Sequence, residues 1–501
     1  MSSRRLLSPA ASQHLTPQHH DALLVPPGMT SLHIGVPFAS TAIEEIDKLN
    51  VKRVYVMANK SSHAQPAVRQ FVELLEKKGV LAAPINCDVS MGGAEDGLFK
   101  ACNEAAEVNA DCVLTIGGGA VQDAGKFVRL WLSATAAEVD ENNGQQESTT
   151  ASATTATSNN DDDDTNNNNN NLSNDNTSDE VSPKLSRPTK KVKLLASIKG
   201  IQAATQNRTN SNNNNNSNKM TPQICLPNSF AMAELTHVAG LVTKDNVKSG
   251  AAHPDMMPTV VIFDTTLTRG LPDWVRFGTA LRGIEHGIGA VCHPKATPDI
   301  RSRALLGLEL VNSGLKRMVQ DPNSEEAQLK IYLGGWMAIR ALNTGCYPSI
   351  AHSIQNQYSA RFHVHQGSCS GILCARILEY HREVSGEFQS EISRVLSLDD
   401  EEEEEGDDES STSSSSSSSS KKKLRSAPQL VSDLVATLPG VAKDHKDANV
   451  DEAMLRDFAE YMYSQHGERM NSLSPKPFCS IDDFWNMLTL PLDESSSSLE
   501  K

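Results

Sequence analysis

The stretch Val113-Leu114-Thr115-Ile116-Gly117-Gly118-Gly119-Ala120-Val121-Gln122-Asp123-Ala124-Gly125-Lys126 joins an apolar run to three glycines and then to a helix-like segment. Glycines lack a side chain, so their backbone N–H groups can approach a phosphate closely. The N-terminus of the following helix presents partial positive charge to the same anion. The stretch therefore indicates a strand, a phosphate-binding turn and a helix, with a plain tight turn as the alternative.

Strand-like and helix-like periods alternate around this stretch. We predict strands at 31–36, 53–58, 81–85, 112–116, 223–227 and 259–264, and helices at 43–49, 67–78, 93–108 and 121–132. Repeated β and α segments of these lengths predict a parallel sheet with right-handed crossovers. The glycines fall at the carboxyl end of a strand, where such sheets bind ligands.

The character of the chain changes after Leu271-Pro272. Broad apolar faces at helical spacing predict helices at 274–291, 299–319, 324–344, 371–380, 455–466 and 481–488. The predicted fold class is thus an α/β Rossmann-like nucleotide-binding domain at 29–270, followed by an all-α C-terminal domain at 271–490. The active site is expected in the cleft between them, and flexible tails are expected at 1–28 and 491–501.

Two segments hold too little apolar surface to belong to a core. Residues 136–220 are rich in Asn, Ser, Thr and Asp, and residues 397–427 combine acidic, serine and lysine runs. We interpret both as disordered insertions in their domains. They contribute −3 and −6 of the formal net charge of −16, so the remaining chain is only mildly acidic. No basic stripe with interleaved aromatic residues indicates a nucleic-acid partner.

Cysteine usage and hydropathy bear on the compartment. Nine cysteines without paired spacing indicate reduced thiols in the cytosol. Cys369 and Cys374 are interpreted as core residues and not as zinc ligands. No apolar run approaches the ~18 residues that span a bilayer, and the N-terminus lacks the apolar region of a secretory signal. A cytoplasmic protein without a membrane partner is predicted, with an organelle presequence left open.

Three motifs in chain order carry a family resemblance. The first is the glycine triplet Gly117 to Gly119 with Asp123 and Lys126. The second is Pro227-Asn228-Ser229-Phe230-Ala231-Met232-Ala233-Glu234-Leu235-Thr236, and the third is Phe263-Asp264 followed by Leu271-Pro272. With these motifs the chain resembles the iron-containing alcohol dehydrogenase superfamily, and within it the maleylacetate reductase-like branch, over residues 29–134 and 221–380.

The resemblance implies a dehydroquinate synthase-like fold, a nicotinamide dinucleotide in the cleft and a homodimer. Within the motifs it assigns Gly117, Gly118 and Gly119 to the pyrophosphate. It also makes Asp123 and Lys126 cofactor-binding residues. It also implies that Asn228 and Ser229 donate hydrogen bonds near the pyrophosphate and that Lys248 lies near the ribose. Turn formation after Pro227 is the alternative for Asn228 and Ser229.

The choice between NAD and NADP depends on the residue after an early strand. A carboxylate there accepts from the ribose hydroxyl and repels the 2′-phosphate of NADP. This chain has Asn59 at that place, followed by Lys60. The repulsion is absent, so we expect NADP to be tolerated, and both NAD and NADP stay open.

The metal-binding pattern of the family is only half preserved. Metal-dependent members bind a divalent ion through an Asp and three His, and the alignment places Arg282, His286, His352 and Gln366 at these positions. A further family histidine near the substrate is replaced by Asn356. Guanidinium repels a divalent ion at close range, so we predict no iron or zinc. If a metal is bound, the ligands would be His286, His352 and either Gln366 or, with a one-residue bulge, His365.

Without a metal, another group must polarise the substrate carbonyl. Arg282 is a fixed cation that also suits a carboxylate, and His286 or His352 would supply the proton; packing of Arg282 against Glu285 is the structural alternative. We therefore predict an NAD(P)H-dependent oxidoreductase that reduces a small carbonyl or enone acid. A catalytically silent nucleotide-binding scaffold, which Met232 and Ala233 favour, and a metal-dependent alcohol dehydrogenase are the competing hypotheses.

Overall fold

A six-stranded parallel sheet forms the centre of the N-terminal half in the computed structural model, which describes residues 4–13, 15–89, 95–133, 220–242, 247–398 and 425–492. Its order is β1-β2-β8-β5-β4-β3, with every neighbouring pair parallel. A separate antiparallel hairpin pairs β6 with β7. The strands are β1 (Arg4–Leu7), β2 (Ser31–Ile34), β3 (Val54–Ala58), β4 (Cys112–Gly117), β5 (Gln223–Pro227), β6 (Val238–Val242), β7 (Lys248–Ala252) and β8 (Val260–Phe263).

Helices flank the sheet and then form the C-terminal half. The first seven are α1 (Pro9–Ser12), α2 (Pro17–Ala22), α3 (Phe38–Leu49), α4 (Lys60–His63), α5 (Pro66–Lys77), α6 (Glu95–Glu107) and α7, which is described over 119–133. The rest are α8 (Asp273–Val291), α9 (Pro298–Gln320), α10 (Glu325–Asn343), α11 (Ile350–Phe362), α12 (Gln366–Tyr380), α13 (Arg382–Leu396), α14 (Ala427–Thr437), α15 (Glu452–Leu473) and α16 (Ile481–Thr489). The predicted fold class is confirmed.

The central strands are buried on both faces. Every residue of β3 and β4 is buried, as expected for a parallel sheet covered by helices on both sides. On one face, Phe38 of α3 and Phe71 of α5 meet edge to face with 5.5 Å between ring centroids. On the other, Gly125 lets α7 lie directly on the sheet, because a Cβ there would be 2.5 Å from Thr115 and Gln223. Because helices cover both faces of these strands, the strand ends that carry the site are held in place.

The N-terminal segment belongs to the sheet. The prediction of a flexible tail over 1–28 is wrong for the described residues, because β1 pairs in parallel with β2. Arg5 Nη1 donates to the carbonyl oxygens of His20 and Leu23 at 2.8 and 2.6 Å, and Ala11 and Leu23 are buried in the core. A four-residue edge strand that alternates exposed and partly buried positions gives too weak a periodic signal to be predicted.

One further prediction at 29–270 needs correction. Residues 81–85 form no strand: Leu81 and Asn86 make isolated bridges to Val54 and Met57, since Pro84 between them has no N–H for a ladder. The β6–β7 hairpin was not predicted. Nearly all of the insertion 136–220, residues 399–424 of the insertion 397–427, and residues 493–501 of the tail lie outside the described residues.

The C-terminal half is built around α8. From Arg276 to Val291 every residue of α8 is buried, because α9, α10 and α12 all pack against it. Gly283 and Gly287 face Val311 and Leu308 of α9, where an added Cβ would come within 2.8 Å. None of the helices in the described residues combines the length and apolar character needed to cross a membrane.

Candidate functional site

The three glycines lie where the sequence places them, at the carboxyl end of β4. Gly117 pairs with Pro227 of β5, and its carbonyl accepts from Asn228 N at 3.2 Å. Helix α7 begins at residue 119, so its first N–H groups have no acceptor within the helix. A Cβ on Gly118 would lie 3.1 Å from Ser229 Oγ. The turn is therefore open to an anion only because Gly118 has no side chain.

Asn59, Asn228 and Ser229 surround this turn. Asn59 follows β3 and accepts from Ser62 N at 3.0 Å, which caps α4. Asn228 Nδ2 donates to Ser62 Oγ at 2.8 Å, so the loops after β3 and β5 are linked. Ser229 is buried beside Gly118. The carboxyl ends of β3, β4 and β5 thus bring six of the predicted cofactor-binding residues together, including the three glycines.

Lys126 does not point its ammonium at the glycine turn. The fully buried side chain donates to the carbonyl oxygens of Ala233 at 2.7 Å and Val238 at 2.6 Å, and it pairs with Asp123 at 3.1 Å. The second oxygen of Asp123 accepts from Gly240 N at 2.9 Å. A primary ammonium has three donors, and these contacts use all of them. The prediction of Lys126 and Asp123 as cofactor-binding residues therefore needs correction: both side chains brace the segment after β5.

We expect Lys126→Met to destabilise the ligand-free protein. Two buried carbonyls and a carboxylate lose their donor, which costs about 3 kcal/mol of unfolding free energy at roughly 1–3 kcal/mol per unsatisfied buried group. Chemical denaturation of the nucleotide-free protein measures this. Lys60→Met, at an exposed lysine, is the control and should change stability little. If Lys126→Met were as stable as the wild type but bound nucleotide more weakly, the predicted cofactor-binding role of Lys126 would be supported instead.

Lys248 lies between the two halves of the chain. It begins β7, and its Nζ lies beside Gly240, where an added Cβ would be 3.2 Å away. Burial lowers the pKa of Lys248; Asp123 opposes this shift and Arg282 adds to it. Gln357 of α11 donates to the Lys248 carbonyl at 3.4 Å. The predicted ribose ligand is therefore placed between the nucleotide half and the buried group around Arg282.

Arg282, His286 and His352 form one buried group, and Glu285 completes it. Arg282 Nη2 lies 3.2 Å from His286 Nε2, 3.0 Å from His352 Nδ1 and 3.4 Å from Glu285 Oε2. Arg282 Nη1 donates to Gln355 Oε1 at 3.3 Å. Glu285 is fully buried and accepts from Ser349 at 3.2 Å. From the sequence, Glu285 is expected only as a packing partner of Arg282, although its spacing from Arg282 allows an ion pair on one helix face.

The hydrogen bonds of Arg282 define the protonation of both imidazoles. Guanidinium has only donors, so His286 Nε2 and His352 Nδ1 accept and both rings are neutral. Burial lowers the pKa of His286 to about 3, with Arg282 adding to the shift and Glu285 opposing it; burial also lowers the pKa of His352. Burial by itself would raise the pKa of Glu285, but the positive charge of Arg282 holds it below its usual range.

His286 does not fit the predicted role of proton donor. Only 1% of His286 is exposed, Nε2 is occupied by Arg282, and Nδ1 is buried without a hydrogen-bond partner among the described residues. A donor must reach the substrate oxygen directly or through one water. His286 is therefore assigned to holding Arg282, and His352 is the member of the pair with a second contact, to Tyr347.

A divalent ion does not fit this group while Arg282 is in place. Glu285, His286 and His352 offer three ligand atoms within 4.8 Å of one another, a ligand type and number that zinc accepts. Arg282 Nη2, however, lies within 3.4 Å of all three atoms. A doubly charged ion ~4 Å from guanidinium is repelled by about 8 kcal/mol at an effective dielectric constant of 20. The guanidinium occupies the centre that an ion would need.

The alternative ligands lie elsewhere. Gln366 donates to Asn356 Oδ1 at 2.5 Å, so these two family positions pair with each other. His365 packs edge to face on Trp274 with 5.0 Å between ring centroids, and burial lowers its pKa to about 4. His365 is not a member of the converging group at Glu285. The bulge that would bring His365 to a metal is not formed.

The segment after β5 also contacts the helical half. Met232 has a positive φ of 58° and is 1% exposed; its side chain packs on Gly335 of α10. Glu234 accepts from Tyr332 at 2.6 Å, and burial raises the pKa of Glu234 to about 7. These contacts place Met232 in the core instead of the pocket, which removes the steric reason for a closed nucleotide site.

Family models match both halves of the chain. The model described as iron-containing alcohol dehydrogenase matches residues 30–161, and the model of the C-terminal part of the same family matches residues 278–476. Together they match more than half of the 501 residues.

Curated relatives match shorter stretches. A probable alcohol dehydrogenase, EutG of Escherichia coli, is 28% identical over 177 residues, which is 35% of this chain and 45% of that protein. Maleylacetate reductase 1 of Rhodococcus opacus is 28% identical over 116 residues, 23% of this chain and 32% of that protein. The chain thus spans less than half the length of these two relatives.

Solved structures match over nearly the whole length. Maleylacetate reductase from Agrobacterium tumefaciens is similar with a TM-score of 0.61 at 16% identity, covering 93% of this chain and 96% of that one. The NADH-dependent butanol dehydrogenase A of Thermotoga maritima gives a TM-score of 0.64 at 14% identity, with coverage of 93% and 97%. The fold, the two family models and the motif order agree, so the chain belongs to the iron-containing alcohol dehydrogenase superfamily and is similar to its maleylacetate reductases.

Proposed function

We propose that this protein is an NAD(P)H-dependent reductase that acts on a small carbonyl or enone acid without a metal ion. The observation that carries the proposal is the position of Arg282 Nη2, 3.0–3.4 Å from two imidazoles and a carboxylate. In this position a permanent cation does what a Lewis-acidic ion would do, because it stabilises negative charge on a carbonyl oxygen.

The glycine turn fits a dinucleotide. The N-terminus of α7 and the buried hydroxyl of Ser229 at Gly118 suit a pyrophosphate. In our proposal Gly117 to Gly119, Asn228 and Ser229 hold the phosphates, Asn59 faces the ribose nearest the adenine, and Lys248 contacts the other ribose. When bound, the reduced nicotinamide supplies a hydride to the substrate carbon.

Two N–H donors of Arg282 are available to a substrate. Nη2 uses its two N–H groups on His286 and His352, and Nη1 uses one on Gln355. Among the described residues no acceptor pairs with the remaining Nη1–H or with Nε–H. These two groups are available to a carbonyl or carboxylate oxygen. A guanidinium with two N–H groups free for a ligand favours an anionic substrate such as a carboxylic acid over a simple aldehyde.

The competing hypotheses are weaker on these observations. The silent scaffold rested on Met232 and Ala233 in the nucleotide pocket. Met232 is instead buried against Gly335, and the Ala233 side chain, which does lie at the glycine turn 3.5 Å from where a Cβ on Gly119 would be, is a single methyl group. The metal-dependent alcohol dehydrogenase requires an ion where Arg282 lies. The homodimer and the cytoplasmic location stay predictions.

Oxidation of NADPH and NADH by the purified protein tests the proposal. We expect turnover with an acid such as maleylacetate or a small keto acid, and slower turnover with short uncharged aldehydes. Nucleotide binding without turnover of any member of this panel would support the silent scaffold. Turnover restricted to alcohols and aldehydes would support the ordinary alcohol dehydrogenase.

Asn59→Asp should change the cofactor preference. A carboxylate repels the 2′-phosphate of NADPH and accepts from the ribose hydroxyl of NADH, so we expect KM for NADPH to rise at least about tenfold and KM for NADH to stay equal or fall, since a repulsion of ~1.4 kcal/mol changes an affinity tenfold. Aspartate caps a helix as well as asparagine, so α4 and the unfolding midpoint should not change. An unaltered ratio of the two KM values would place the adenine ribose elsewhere.

A further inference from the structure

Tyr347 lies beside the buried Arg282 group and between the two halves of the chain. Its hydroxyl is 3.0 Å from His352 Nε2, and the two rings are 5.1 Å apart. Tyr347 keeps a partly exposed side chain, unlike His286. One imidazole connects the hydroxyl to the polarising cation, because His352 Nδ1 lies 3.0 Å from Arg282 Nη2.

The direction of each hydrogen bond follows from the chemistry of the donors. Arg282 donates to His352 Nδ1, so the proton of this neutral ring is on Nε2. His352 Nε2–H then donates to the Tyr347 oxygen, and the phenolic hydrogen is left for another acceptor. Among the described residues the Tyr347 hydroxyl has no second hydrogen-bond partner. The hydrogen bonds from Arg282 to His352 and from His352 to Tyr347 thus leave the O–H group of Tyr347 without an acceptor among the described residues.

We propose that Tyr347 is the catalytic proton donor of this reduction and that His352 positions it. The inference rests on the proposed function, because it concerns the same site and reaction. A bound reduced nicotinamide would supply the hydride to the carbonyl carbon, and the π electron pair of the C=O bond would then move to oxygen. The O–H bond of Tyr347 breaks, and its proton bonds to that oxygen. The phenolate retains the O–H electron pair, accepts from His352 Nε2–H, and regains a proton from solvent.

The surroundings of Tyr347 suit this role. Burial raises the pKa of Tyr347. Asp123 and Glu285 add to this shift, and Arg282 and Arg469 oppose it. The phenol therefore holds its proton at neutral pH until a stronger base forms. An alkoxide is such a base, so the transfer is favourable only as the hydride arrives. The two imidazoles lack this combination of a free hydrogen and partial exposure.

Tyr347→Phe removes the hydroxyl and keeps the ring. We expect kcat with the acid substrate to fall about hundredfold or more, within the range of general acid catalysis, while the nucleotide dissociation constant changes less than about twofold because the ring contacts persist. Tyr358→Phe is the matched control, since Tyr358 also bonds a histidine, His445, at 2.9 Å but packs in the outer helical core. Its kcat should stay at the wild-type value.

A second measurement needs no turnover. We would place 3-fluorotyrosine at position 347 or at position 358 and record the fluorine resonance of the nucleotide-free protein while adding malate, an acid that carries an alcohol. The signal at 347 should shift with saturation, and the signal at 358 should not. Replacing His352 by Phe should also shift the resonance at 347.

The outcomes separate the two claims. A silent wild type overturns the proposed function and the inference together. If the wild type is active and Tyr347→Phe keeps half of its kcat or more, the inference alone is overturned. A fluorine resonance at position 347 that does not shift when malate is added also overturns the inference alone. A large loss of kcat in Tyr347→Phe with wild-type nucleotide binding, and with the resonance at 347 responding, supports the assignment.

Discussion

Replacing Arg282 by alanine should lower kcat/KM for the acid substrate by at least about hundredfold, which is the usual effect of removing one oxyanion donor. The loss has two sources. The developing charge on the carbonyl oxygen loses its cation, and His352 loses the donor that fixes its tautomer and, through it, Tyr347. Steady-state kinetics measure the loss, and nucleotide binding by fluorescence titration shows whether the cofactor half is intact.

Two variants control for misfolding. Arg282→Lys keeps the charge without the planar fork of donors, so we expect it to fold and to lose activity partly. Arg276 lies on the same helix, is similarly buried, and pairs with Asp273 at 3.7 Å; Arg276→Lys should leave kcat/KM within about threefold, since it contacts no group of the site. Activity of Arg282→Ala equal to that of Arg276→Lys would show that guanidinium is only packed beside Glu285.

Arg282→Asp should create a metal site. The change removes a cation and adds a carboxylate to Glu285, His286 and His352, whose ligand atoms already lie within 4.8 Å of one another. Each unit of charge at ~4 Å is worth about 4 kcal/mol at an effective dielectric constant of 20, so zinc or cobalt affinity should rise at least about thousandfold over wild type. Calorimetry and the visible absorption of bound cobalt measure this, independently of turnover.

The double variant Arg282→Asp with His352→Ala is the control for that site. It lacks one of the four ligands and should lose much of the gained affinity, because the ion then keeps two carboxylates but only one of its two imidazoles. Wild-type protein that binds zinc at this group as tightly as Arg282→Asp would contradict our interpretation of Arg282. So would an Arg282→Asp protein that folds and binds no metal.

The sequence carries most of the fold and about half of the site. Buried strands such as β3 and β4 are continuous apolar runs, and α8 has a strong helical pattern, so these elements are predictable from local periodicity. β1 is short and lies at an edge, and β6 and β7 contain small residues with little period. Their positions are set by tertiary packing, which periodicity does not report.

The residues of the site also separate into those that the sequence predicts and those that only tertiary packing brings together. Gly117 to Gly119, Asn228 and Ser229 come together because parallel strands end at one edge, which a strand prediction already implies. The true contacts of Lys126 depend on where the segment after β5 folds, and no spacing rule gives that. Glu285 was visible as a neighbour of His286, but Tyr347 belongs to no motif and meets His352 only through the turn before α11. Family motifs placed Arg282 correctly, and only the structure shows which groups it holds.

The measurement that tests the central claim most directly is the metal content and activity of one preparation. The protein would be dialysed against a strong chelator, assayed for zinc, iron and other divalent metals by mass spectrometry, and then assayed for NADPH oxidation with its acid substrate. We predict unchanged kcat with far less than one metal ion per chain. Loss of activity in the chelator and its return with iron or zinc would contradict the assignment of Arg282 to the place of the ion.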